Sequence, residues 1–227
     1  MVAVPLSTAR DDVLAAIRAA LPDVPEAERS DRGPPLSYER ERPWGSSRGT
    51  VLATFEECVR DYGAGIARCP EPELAATIAG ACSARGSRRL VIPSDLPAAW
   101  LPAGFELVLD EELDSAEIER LDGAITAVAL AIAETATLVL DCGPGQGRRA
   151  ISLLPDHHLC VVRAEQVVAG VPEAIASLGP RVGPGRAFTF VSGPSATSDI
   201  ELERVEGVHG PRRLDVILVG DGGADGV

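Results

Sequence analysis

The spacing of apolar positions along this 227-residue chain changes character near residue 88. Before that point the period is helical. Val13, Leu14, Ile17 and Leu21 follow Ser7, Thr8 and Asp11 as one face of a short amphipathic helix. Val51, Leu52, Phe55, Val59, Tyr62 and Ile66 repeat the period over 51–67, and a further helix is expected over 71–84. Residues 22–49 between them are rich in Pro, Arg, Ser and Glu, with Trp44 as the main apolar anchor, and read as a surface arm. From Arg88 onward short apolar runs take over. Strands are expected at 88–93, 105–109, 123–126, 137–140, 159–162, 187–191 and 214–219, and helices at 94–101, 115–121 and 165–178. Apolar strands alternating with helices predict an α/β fold: a mostly parallel sheet flanked by helices and buried on both faces, with an N-terminal helical extension. The expected organisation is helices and an arm over 1–87 packed on the main domain, an α/β domain over 88–220, and a flexible tail over 221–227.

Composition narrows the class of function. The apolar content is 45% and the formal net charge −13, so a core is affordable while nucleic acid and anionic membranes are disfavoured partners. All 21 basic residues are Arg, which excludes lysine Schiff-base chemistry and a Walker-type phosphate loop. The five cysteines at 58, 69, 82, 142 and 160 contain no C-x-x-C pair and are odd in number. They read as free thiols, with no iron–sulfur or zinc framework visible. No cofactor and no metal site is expected. The N-terminus has neither a basic start nor an apolar stretch of signal length, and the longest apolar run, 124–133, is far short of a membrane span. The expectation is a soluble, cytoplasmic protein without membrane insertion.

Three segments follow strand ends, where parallel sheets commonly bind ligands. In the first, Glu134 and Thr135 lie in the otherwise apolar stretch 124–140. A carboxylate there must be bonded or have its pKa raised, so Glu134 is either a candidate catalytic base or nucleophile, or an acceptor of neighbouring backbone N–H groups. The second is Asp141-Cys142-Gly143-Pro144-Gly145-Gln146-Gly147-Arg148-Arg149. Gly145 and Gly147 permit close approach of backbone to a ligand and the arginine pair, Arg148 foremost, could clamp an anion; a tight turn with exposed arginines is the alternative. The G-x-G-x-G spacing, with Pro144 removing a donor, does not make a dinucleotide fingerprint. The third is SGPSATSDIELERVEGVHGP, 192–211. Ser198 and Glu201 match a capping box for a short helix ended by Gly207. Gly193, Ser195, Thr197, Asp199 and His209 are left as candidates for an anion or ligand site. His157 and His158 are adjacent at a strand start, so their rings should face opposite ways and not share a metal. Ser, His and Asp are all present, but nothing in the sequence specifies a triad geometry.

The strings AIAETATLVLDCGPGQGRRAISLLPDHHLCVV (131–162) and SGPSATSDIELERVEGVHGPRRLDVILV (192–219) resemble the LUD-domain family and, within it, the lactate-utilisation protein C group (LutC, YkgG-like). The resemblance spans about residues 88–220. One departure is Ala136, where the family usually has Gly in an E-T-G-T string; a position needing positive φ would strain Ala. The resemblance implies a fold similar to the NagB/RpiA/CoA-transferase-like group. It also implies an accessory, regulatory or ligand-binding part in oxidising L-lactate to pyruvate, beside iron–sulfur partner proteins (LutA-like and LutB-like). The candidate ligand is a small carboxylate or phosphate, with a loop of a partner protein as the alternative. Because the chain shows no redox framework for the two electrons released, it is not expected to act as a stand-alone oxidoreductase. The alternative is an independent small-molecule enzyme, an acyl/CoA transferase or sugar-phosphate isomerase, with Glu134 as the reactive carboxylate.

Overall fold

The computed structural model describes residues 6–21, 47–181, 187–194, 196–197, 205–206 and 210–220. The chain divides into two compact units, Met1–Tyr38 and Glu39–Val227. The described part of the first is helix α1, Leu6–Ala20, which ends with Arg18 in its last turn, the favourable sign against the helix dipole.

The second unit opens with α2, Arg48–Asp61, started by the Ser47 side chain accepting the Thr50 N–H at 3.3 Å. Its buried residues, Val51, Leu52, Phe55 and Val59, are those the periodicity selects. The helix stops well before 67, however. Gly63, at φ +80°, turns the chain, and Ile66 lies in a strand, β1, Gly65–Cys69. Helix α3, Leu74–Arg85, is ended by Gly86 at φ +74°. Then come β2 Arg89–Ile92, β3 Glu106–Leu109, α4 Ser115–Glu119, β4 Gly123–Ala127, β5 Leu130–Ile132, β6 Thr137–Leu140 and β7 His157–Arg163. Asp114 and Glu117 form a reciprocal capping box at α4. The helix expected over 94–101 is reduced to a 3-10 turn, Ala98–Trp100, because Pro97 supplies no N–H to a longer one. The helix expected over 165–178 is also shortened. A 3-10 turn, Ala164–Gln166, leads into β8, Val167–Val168, and α5, Val171–Leu178, begins only where Pro172 fits a first helical turn. The remaining strands are β9 Thr189–Ser192, β10 Ala196–Thr197, β11 Val205–Glu206 and β12 Arg213–Val219.

Six strands form the main sheet in the order β1-β12-β7-β4-β2-β3, every pairing parallel. The central strands HHLCVVR and RLDVILV are buried on both faces, as expected for a parallel sheet under helices. One face packs with Leu52, Phe55 and Val59 of α2 and the other with Leu74, Ile78 and Cys82 of α3. Each such fully buried Leu, Ile or Phe contributes about 1.5–3 kcal/mol of transfer free energy.

The described strands form three sheets rather than one. β5, β6, β8 and β9 leave the main sheet for a second one, ordered β8-β5-β6-β9, in which β6 runs antiparallel to both neighbours. The turn at 133–136 reverses the chain there, with Ala136 N donating to Ala133 O at 3.2 Å. β10 and β11 pair antiparallel as a separate ribbon. The helix expected from Ser198 to Gly207 therefore does not include Val205 and Glu206; its start at Ser198 and Glu201 lies outside the described residues.

Candidate functional site

A buried polar network lies at the amino end of the main sheet. His157 is the first residue of β7, and Asp215 in β12 pairs with Leu159 two positions on. Arg85, at the end of α3, donates from Nε and Nη2 to Asp215 Oδ2 and Oδ1 at 2.8 and 2.7 Å. His157 Nε2 meets the same carboxylate at 3.0 Å, and its Nδ1 meets Ser87 Oγ at 3.0 Å. Burial alone would raise the Asp215 pKa, but the bonds from Arg85 and His157 outweigh it and hold the group down to about 2. An ionised carboxylate only accepts, so His157 Nε2 carries the proton. Ser87, His157 and Asp215 thus do form a hydrogen-bonded chain. Ser87 is only 3% exposed, which keeps its hydroxyl from a ligand, so the chain is a structural clamp. It also explains Gly65: a Cβ there would stand 1.8 Å from Asp215 Oδ1.

His158 faces the other way, as strand alternation requires. Its Nε2 is 2.8 Å from Thr126 Oγ1 and 3.2 Å from Cys160 Sγ. Burial, with the charges of His157 and Arg149, lowers the His158 pKa to about 3. Burial likewise pushes the Cys160 thiol up to about 12, against a small opposing effect of the Thr126 hydrogen bond. Both shifts favour neutral forms, so Cys160 and His158 are not a thiolate–imidazolium nucleophile.

His158 also lines a cavity of about 250 Å³ with Arg149, Ser152, Ser192, Gly193 and Leu214. This cavity sits where β9 ends and where β7 and β12 begin. It is therefore at the amino edge of the main sheet, not the carboxyl edge expected of a parallel sheet. The Arg149 guanidinium donates to Ser152 Oγ at 2.9 Å, and among the described residues no carboxylate pairs with it. Partial burial lowers its pKa, opposed by Cys142. A second cavity, of about 260 Å³, is lined by Gly65, Arg85 and Asp215 among others, but there the cation is already paired. Of these two cavities, the first carries a guanidinium without a carboxylate partner among the described residues.

The residues singled out from sequence are distributed unevenly around it. Gly193, at φ +82°, is on the cavity wall. Thr135 reaches the wall indirectly, because Thr135 Oγ1, Thr137 Oγ1 and Ser192 Oγ form a chain with both steps 2.7 Å. Glu134 does not line it. Its Oε1 accepts the Val171 N–H at 2.8 Å, capping α5 across space. Arg148 points to the opposite edge, where it grips Asp110 through Nε and Nη2 and donates to the Leu113 carbonyl. Gly145 and Gly147, at φ +69° and +65°, are needed for tight packing: their Cβ atoms would stand 3.1 Å from Ala127 Cβ and 2.6 Å from Ile151 Cδ1. The loop is closed by buried Gln146 and Asp141, whose side chains bond at 2.9 Å. Thr197 is placed by its backbone in β10; Ser195, Asp199 and His209 lie outside the described residues. Ser152 and His158 also line the cavity and are not among the ligand-site candidates read from sequence, where Arg149 enters only as the second of an arginine pair. The pair alone does not say which arginine is free.

The LUD domain profile matches residues 99–219, over half of the 227-residue chain. The chain belongs to the LUD-domain family. A protein of Deinococcus radiodurans named lactate utilization protein C is 49% identical over 175 residues, covering 77% of this chain and 82% of that one. One of the same name from Exiguobacterium sp. is 30% identical over 189 residues, covering 78% of this chain and 81% of that one. The crystal structure of a DUF162 family protein from Deinococcus radiodurans is similar at TM-score 0.68 and 43% identity, covering 77% of this LUD-domain chain and 99% of that one. Among the described residues no helix is long and apolar enough to cross a membrane, and all five cysteines are free.

Proposed function

We propose that this LUD-domain chain takes part in lactate utilisation as an accessory, cytoplasmic component that binds a small carboxylate in the cavity beneath β9. The names of its relatives support the pathway. The observation that carries the binding role is Arg149, a guanidinium on a cavity wall with a hydroxyl as its side-chain partner and no carboxylate among the described residues. A carboxylate ligand supplies the missing counter-charge through a charge-assisted, bidentate contact. Oxidation of L-lactate to pyruvate releases two electrons, and the cysteine spacing of this chain offers no framework to take them. In this reading iron–sulfur partner proteins, LutA-like and LutB-like, carry the electrons. The capping of α5 by Glu134 supports a structural role for that carboxylate over an acyl-accepting one.

The test is thermal unfolding of the full chain with millimolar L-lactate, pyruvate or phosphate, in the native protein and in Arg149→Gln. A ligand-induced rise in Tm with a carboxylate that disappears in the variant is expected. A rise that survives in Arg149→Gln, or no rise with any carboxylate, refutes the assignment. Co-purification from lactate-grown cells tests the accessory role: recovery without iron–sulfur proteins, together with undiminished growth on lactate after deletion, overturns it.

A further inference from the structure

The cavity holds a second polar feature that carboxylate binding alone does not use. His158 is 1% exposed yet reaches the cavity wall. Its ring is fixed from below: Thr126 lies opposite Cys160 in the β4–β7 register, and Thr126 Oγ1 holds Nε2 at 2.8 Å. The other ring nitrogen has no comparable partner. Among the described residues Nδ1 meets only Cys160 Sγ, at 3.7 Å. A thiol at that range is a weak partner for an imidazole nitrogen. The same cavity is lined by the polar side chains of Arg149, Ser152 and Ser192 and by the apolar Val191, Pro211 and Leu214.

We infer that His158 determines specificity in this cavity, its Nδ1 hydrogen-bonding the 2-substituent of a short carboxylic acid whose carboxylate meets Arg149. The inference rests on the carboxylate reading of Arg149 and goes beyond it by assigning the residue that selects 2-hydroxy and 2-oxo acids over the same acid without a 2-substituent. One pair of residues serves both forms. When the Thr126 hydroxyl donates to Nε2, Nδ1 carries the proton and donates to a 2-oxo group. When Nε2–H donates to Thr126, Nδ1 accepts from a 2-hydroxyl. A ligand lacking the substituent leaves Nδ1 with only the Cys160 thiol at 3.7 Å, and that unmet bond is the source of discrimination.

The experiment is a ligand-observed NMR titration of the full chain with L-lactate, pyruvate and propionate, in the native protein, His158→Phe and Thr126→Val. Lactate and pyruvate are expected to bind about tenfold more tightly than propionate, the worth of one net hydrogen bond. In His158→Phe both should fall to the propionate level while propionate itself is unchanged. Thr126→Val keeps the side-chain shape and both ring nitrogens but frees the ring; it should narrow the preference without losing propionate. Equal native affinities for all three acids overturn the role of His158 and leave the Arg149 reading standing. A preference undiminished in both variants also overturns it. Failure of all three acids to bind overturns both.

Discussion

Replacing Asp215 by Asn keeps the side-chain shape and removes the charge on which the amino end of the main sheet is organised. The carboxylate receives three hydrogen bonds, two from Arg85 at 2.7 and 2.8 Å and one from His157 at 3.0 Å. Breaking a fully buried pair costs about 3–5 kcal/mol, since the remaining charge is left without a partner. The Arg85 side chain retains 34% exposure and regains water, so about 2–3 kcal/mol is the expected loss. For a domain of this size that lowers Tm by about 5–10 °C. The acid limb gives an independent reading. Because the folded-state pKa of Asp215 is lowered from 3.8 to about 2, its stabilisation is complete above pH 4 and lost as pH falls through 2. After discounting for partial exposure that amounts to about 1–2 kcal/mol. His158 acts higher: with its pKa lowered from 6.5 to about 3, the unfolded chain takes the proton first, and stability declines as pH falls below about 6.5. The slope of that decline reaches about 1.4 kcal/mol per pH unit. Urea unfolding followed by far-UV circular dichroism from about pH 1.5 to 7 separates the two. Asp215→Asn should lose the lower limb and keep the upper one. A variant within about 0.5 kcal/mol of the native protein at pH 7, with an unchanged acid profile, refutes the clamp; a difference that small is typical of an inconsequential surface change.

Gly65→Ala should destabilise through the same carboxylate, because its Cβ would meet Asp215 Oδ1 at 1.8 Å. In an Asp215→Ala background the loss should shrink, a double-mutant coupling of about 1–2 kcal/mol by urea unfolding. Arg148→Gln leaves Asp110, whose side chain is 3% exposed, without its cation; about 2 kcal/mol of stability should go while carboxylate binding is kept. Arg149→Gln should do the reverse, with unfolding within about 0.5 kcal/mol of native and no ligand-induced shift in Tm. Ala136→Gly should be close to neutral by thermal unfolding: relief of left-handed strain at φ +49°, about 1 kcal/mol, is offset by a lost buried methyl and a freer unfolded chain.

Much of the architecture was legible because local rules and the fold agree. Strands such as 89–92, 123–127 and 213–219 are apolar at nearly every position, which only a sheet covered on both faces tolerates. The placement of His157 and His158 on opposite faces follows from the two-residue period of a strand. The amphipathic run 51–59 was equally plain, but Ile66 fits both a helix and a strand, and the glycine turn before it decides. The strings at 131–162 and 192–219 pointed to the family, which comparison with relatives bears out.

What the tertiary structure decided is which groups are spent and which are free. The sequence places Arg148 beside Arg149 and His157 beside His158, and of the arginines it puts Arg148 forward as the anion clamp. The fold turns Arg148 onto Asp110 and His157 onto Asp215, and leaves Arg149 and His158 on one cavity. Glu134 reads as an acid in an apolar stretch until α5 is seen to bring the Val171 N–H to it. The partition of the strands into separate sheets was hidden for the same reason. Local propensity reports how a residue's own backbone runs, whereas a strand's neighbours and a charge's counter-charge are contributed by residues tens of positions away, and only the packed chain fixes them.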